Sequence, residues 1–143
     1  MRGTRAFTVT ILVAILFLAI VSGASASQSS RKIPAIFDTD ICDDIDDTWA
    51  LAFLLQCPEL DVKLITTELG DSESQVKIVA KMLAIAGRTD IPIGRGMPYR
   101  SEQGHNQDCW IEDYNLSSYP GTIYADGVQA IINTIMNSPE LIP

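Results

Sequence analysis

Six carboxylates fall within ten residues of this chain, at Asp38, Asp40, Asp43, Asp44, Asp46 and Asp47, with an apolar run on either side. Like charges packed this closely repel, and a fold tolerates them best where a cation or solvent sits among them. The flanks constrain what can carry the cluster. Residues 33–38 are short, apolar on both faces and begin with a tolerated Pro, which predicts a strand. Residues 46–57 predict a helix stopped by Pro58, with Asp46 and Asp47 in the first turn, where the helix dipole favours negative charge. Ala50, Leu51, Phe53, Leu54 and Leu55 cover nearly its whole circumference, so it is expected to be buried, with Trp49 in the core.

The same alternation continues. Residues 61–67 predict a second strand, and Gly70-Asp71-Ser72 a turn into a helix over 73–86, with Val76, Val79, Ala80 and Leu83 on one face and Gly87 as its cap. Lys77 and Lys81 read as its solvated face. A third short strand begins at residues 91–93. Residues 94–123 are long, polar and irregular, the kind of loop that is functional or disordered. A third helix is expected over 125–137, with Val128, Ile131, Ile132, Ile135 and Met136 on a face that must pack. Strands and helices joined by short connections predict an α/β fold: an open parallel sheet, Rossmann-like, with flanking helices. Three strands give that last helix little sheet to cover, so the domain is expected to be truncated after it.

The chain begins with a leader pattern. Arg2 and Arg5 precede an apolar run from Phe7 to Val21, and Ala24-Ser25-Ala26 fits a signal-peptidase cut. The run is short for a membrane span. Residues 1–26 are therefore expected to be a signal peptide, 27–32 a polar linker and 33–143 the domain of a secreted, extracellular protein. Loss of the two leader arginines from ten basic residues, against eighteen acidic ones, takes the net charge from −8 to −10. Such a surface argues against nucleic acid or an anionic membrane as partner, but not against uncharged nucleosides. Asn115-Leu116-Ser117 is an N-glycosylation sequon, which suits secretion. Cys42, Cys57 and Cys109 are too few, and of the wrong parity, for a disulfide scaffold, and no pair among them is assigned.

Oxygen-only ligands suit a hard cation such as calcium or magnesium. An EF-hand loop starting at Asp38 would need Gly and Glu where Asp43 and Trp49 stand. A haloacid-dehalogenase-type phosphatase would use Asp38-Thr39-Asp40, with Asp38 as nucleophile and magnesium as cation, but Cys42 stands at its Thr/Val position and Asp46-Asp47 go unexplained. The stretch Asp38-Thr39-Asp40-x-x-x-Asp44-x-Asp46-Asp47-x-x-Ala50-Leu51 resembles the N-terminal signature of the inosine–uridine-preferring nucleoside hydrolase family, in its longer Asp-rich variant. The resemblance continues through Ile65–Asp71 and Gly87–Gly94 and extends over Asp113–Tyr119.

That resemblance implies calcium-dependent hydrolysis of the N-glycosidic bond of ribonucleosides, purine or pyrimidine. It implies Asp40 as catalytic base and metal ligand, Asp47 as bidentate metal ligand and Asp38 as metal-site carboxylate. Asp46 and Asp71 are implied to bind the ribose. It places the site at the carboxyl end of the first strand. The partner would be a small nucleoside, with homo-oligomers open to the fold. Cys42 stands where the variant has Gly, which implies an altered or reactive turn. The family's C-terminal half, with further calcium and sugar ligands and the leaving-group acid, has no counterpart in the chain, so a non-catalytic fragment with a partial metal site is the rival reading. His105 reads as a solvated loop residue, and Gly94-Arg95-Gly96 makes no phosphate cradle. Asp43 and Asp44 read as shaping the loop. Trp110 and Tyr114 are candidates for lining a base pocket.

Overall fold

The computed structural model describes residues 31–68, 72–97, 106–139, 141 and 142. The signal peptide, most of the linker, Asp71 and His105 lie outside these residues. Strand β1 (Ile33–Thr39), helix α1 (Asp46–Leu54), strand β2 (Leu60–Thr67), helix α2 (Ser72–Ala86) and strand β3 (Ile93–Gly94) follow in alternation. A one-turn helix α3 (Asp108–Ile111), a 3-10 turn (Leu116–Ser118), strand β4 (Ile123–Tyr124) and helix α4 (Gly127–Met136) complete the order. The strands form one sheet in the order β1-β2-β3-β4, and every neighbouring pair is parallel. The expected three-stranded sheet thus has four strands among the described residues. β4 is only two residues long, too short for any periodicity to mark it at the end of the irregular 94–123 segment.

α2 obeys its pattern. Val76, Val79, Ala80 and Leu83 are fully buried against Ile65 and Ile93 of the sheet. Each large side chain sealed in this way stabilises the fold by about 1.5–3 kcal/mol. The helix ends in a Schellman motif: Arg88 N–H donates to the Leu83 carbonyl and Gly87 N–H to that of Ala84, with Gly87 at φ +66°.

α1 does not obey its pattern. Only Leu51 is buried, while Trp49 is 69% and Phe53 74% exposed, and Ala50 is exposed too. The expectations of a buried helix and a core Trp49 are both corrected. The reason lies in the sheet. β1 pairs only with β2 and is an edge strand, so no further layer stands against the outer face of α1 among the described residues. The apolar face of α4 is likewise open: Val128, Ile132, Ile135 and Met136 are exposed, and Gly127 and Ala130 are the buried contacts. Asp126 caps α4 by accepting from Gln129 N–H at 2.9 Å. Gly127 lets the helix start close to the sheet, because a Cβ there would stand 2.8 Å from the Arg95 carbonyl oxygen, which its own N–H binds.

Candidate active site at the carboxyl end of the sheet

Parallel pairing sets Asp38 beside Thr66 and Thr39 beside Thr67, so β1 and β2 end together. The next residues, Asp40 and Glu68, leave the sheet at the same edge, and Glu68 N–H donates to the Thr39 carbonyl at 2.9 Å. Asp38 accepts a 2.5 Å hydrogen bond from the Thr66 hydroxyl. Thr67 turns its hydroxyl to the Gly96 N–H at 2.9 Å, which carries the β3 end into the cluster.

Thr39 is the hinge of the motif. It is buried, and its hydroxyl donates to the Asp47 carboxylate and accepts from Ile41 N–H at 3.1 Å. The same Asp47 oxygen accepts from Asp40 N–H at 3.2 Å, and Asp46 accepts from Asp47 N–H at 3.0 Å. A carboxylate in the first turn of α1 therefore closes back on the end of β1, where its charge also meets the positive helix terminus. Between them Cys42 is 1% exposed and has φ +138°, a conformation that favours glycine. The turn keeps the shape that a glycine would adopt, at a strain of about 1–3 kcal/mol for a residue with a Cβ. Its thiol is shielded, and no two of Cys42, Cys57 and Cys109 are joined.

Charge is concentrated as the chain of aspartates implies. A hydrogen bond with the Asp47 carboxyl, burial and the Asp47 charge raise the Asp40 carboxyl above the usual carboxylate range. Burial and the charges of Asp38, Asp40 and Asp47 raise Glu68 as well. Glu68 thus belongs to the cluster, although it was not among the residues assigned a role from sequence. Its signal was its place directly after β2, opposite the end of β1. Asp38, Glu68, Thr66, Gly96, Met97 and Val128 are among the residues lining a cavity of about 220 Å³ at this end of the sheet.

A larger cavity, about 680 Å³, opens between α1, α2 and α3. Its lining includes Ile45, Met82, Ile85 and Trp110, and no carboxylate. Carboxylates, Asp38 and Glu68, line only the smaller of these two cavities. Trp110 is consequently in a different cavity from Asp38 and Glu68, and Tyr114 packs partly buried against the core. Lys81 is not simply a solvated residue: its ammonium lies 4.5 Å from the Trp110 ring centroid and donates to the Trp110 carbonyl.

The donor set is all oxygen, which is the chemistry of a hard divalent cation. Asp40 and Asp47 fit such an ion, since a cation would offset the Asp47 charge that adds to the hydrogen bond and burial in raising Asp40. Among the described residues, however, no three His, Cys, Asp or Glu side chains converge as a formed metal cage.

The family model described as inosine-uridine preferring nucleoside hydrolase matches residues 35–142. The chain belongs to this family. As a nucleoside hydrolase family member it is 39% identical over 66 residues to the pyrimidine-specific ribonucleoside hydrolase RihA of Citrobacter koseri, covering 45% of this chain and 20% of that relative. The same identity and length hold for the RihA of Escherichia coli O1:K1 / APEC, with 21% of the relative covered. The matched stretch is thus about a fifth of either relative. The family fold is α/β, and the parallel sheet with flanking helices agrees with it.

Proposed function

We propose that this chain acts in calcium-dependent hydrolysis of the N-glycosidic bond of ribonucleosides, with Asp40 as the base. The observation that carries the reading is the Asp40–Asp47 pair, locked together where β1 and α1 meet, beside a cleft bearing Asp38 and Glu68. Asp40 and Asp47 would ligate the cation, with Asp38 as a neighbouring carboxylate of the metal site. Bound calcium would supply an acidified water and a grip on the ribose diol. Asp40 removes a proton from the water that attacks C1′. The C1′–N bond breaks, and its electron pair leaves with the base. Asp38 and Glu68 oppose the positive charge that builds on the ribose ring, and Asp46 and Asp71 hold ribose hydroxyls. A nucleoside carries no phosphate, which suits a cleft that bears Asp38 and Glu68.

Both RihA relatives are named pyrimidine-specific, so uridine is the first substrate to test and inosine the comparison. Secretion is part of the proposal. It rests on the leader pattern of residues 1–26 and on Asn115, which is exposed at the start of the 3-10 turn with its sequon intact.

The test is base release by the full chain, with calcium and after chelation. Asp40→Asn is expected to lower the rate by about 10²–10⁴-fold. Base release that ignores both chelation and Asp40→Asn overturns the mechanism. Cation binding without any base release would identify a non-catalytic metal-binding fragment instead.

A further inference from the structure

The acidic motif is held from a distance. Gln107 lies just before α3, more than fifty residues from the motif in sequence, yet its side chain and backbone are both spent on it. Its N–H donates to the Cys42 carbonyl at 3.2 Å. Its side-chain amide donates to the Asp44 carbonyl at 2.8 Å and accepts from the Thr48 hydroxyl at 2.7 Å. Asn106 donates to the Asp43 carbonyl at 3.2 Å. Three successive carbonyls of the acidic loop are therefore taken by two adjacent residues, and Thr48, next to Asp47 in α1, is tied to the same amide. The carboxamide is suited to this, since it donates and accepts in one plane.

Two further features give the contacts a purpose. The loop they grip contains the one non-glycine residue with positive φ among the described residues, Cys42, and a strained backbone persists only where its surroundings over-determine it. The gripping segment is itself anchored. Ile111 of α3 is buried in the core, and Lys81 of α2 holds the Trp110 carbonyl and ring.

We propose that Gln107, with Asn106 beside it, is a positioning residue that holds the 42–44 backbone in its strained form and thereby sets Asp46 and Asp47 against Asp40. The role rests on the reading of those aspartates as the cation and nucleoside site.

The test uses the full chain and two readouts. The first is the rate of iodoacetamide labelling at Cys42 relative to Cys57, resolved by peptide mass spectrometry. Cys42 is buried in the gripped loop, and Cys57, partly exposed beyond the end of α1, is the internal reference whose own rate rises if the fold is lost. The second is terbium affinity by luminescence, with terbium as the probe for a hard cation. Gln107→Ala is expected to raise the Cys42-to-Cys57 labelling ratio about tenfold and to weaken terbium binding about tenfold. Thr48→Val is expected to move both the same way by less, and Thr48→Ser, which restores the hydroxyl, to match the wild type. In a Gln107→Ala chain whose Cys57 labels as in the wild type, an unchanged ratio overturns the proposal, as does a raised ratio with unchanged terbium affinity. Should Gln107→Ala expose both thiols together, it has not folded, and equal behaviour of Thr48→Val and Thr48→Ser then overturns it. A wild-type chain that binds no terbium sinks the cation reading of the site, while the labelling ratio still decides whether Gln107 holds the loop.

Discussion

Two helices of this molecule have apolar sequences and opposite fates. α2 places Val76, Val79, Ala80 and Leu83 on one face, and the sheet covers all four. α1 is apolar around most of its circumference, and the sheet covers Leu51 with Leu54 partly buried. Apolar content therefore does not predict burial; a facing layer does. α2 lies over β2 and β3, whereas α1 follows an edge strand, and its outer residues Trp49 and Phe53 meet solvent.

Mutations can break or sharpen this contrast. The largest effect is expected in α2, where Leu83→Ala should cost about 3–4 kcal/mol in denaturant unfolding, because it empties a site with no room to collapse. Phe53→Ala in α1 should stay within about 0.5 kcal/mol. A comparable loss at Phe53 would mean that α1 is covered in solution. Next come the helix junctions. Cys42→Val should cost about 2–3 kcal/mol, since a β-branched residue resists positive φ, while Cys42→Gly should be close to neutral, strain relief offsetting lost packing. At the other helix, Gly87→Ala should cost about 1 kcal/mol by forcing a Cβ into the left-handed cap, read from the same unfolding curves.

The smallest effect at neutral pH concerns Tyr119, which is buried with a hydroxyl that has no hydrogen-bond partner among the described residues. Tyr119→Phe should leave stability unchanged or raise it by under about 1 kcal/mol there, because no bond is lost and a buried hydroxyl without a partner is removed. Burial pushes its phenol up to about 12. The folded state thus holds this proton more tightly than the unfolded chain, whose phenol titrates near 10. Its contribution is constant below pH ~10 and falls as pH rises towards 12, so Tyr119→Phe should flatten the alkaline loss of stability. An unchanged alkaline limb in that variant would remove Tyr119 as its cause.

Much of the fold was legible. β1, β2 and α2 are long enough for their periods to show, and each lies within a residue or so of its expected bounds. β3 and β4 are two residues each, set by pairing with their neighbours rather than by any local pattern. The site was half legible. The aspartates announce themselves by charge density, and in the fold Asp40 N–H donates to the Asp47 carboxylate. Glu68, Thr39 and Gln107 carry no such signal, because an isolated Glu, Thr or Gln has many ordinary uses, and only its neighbours reveal which one applies.

The sequence by itself determined an oxygen-rich, anionic turn between a strand and a helix, in a chain whose alternating elements require a parallel sheet. These are local matters of charge, period and spacing. The tertiary structure alone decided which apolar faces are covered, and which distant residues grip the turn. Gln107 reaches Asp44, and Glu68 joins Asp38, only because the sheet and α3 bring separated segments within hydrogen-bonding or Coulombic range. No spacing along the chain encodes such a meeting, since it depends on how whole elements pack.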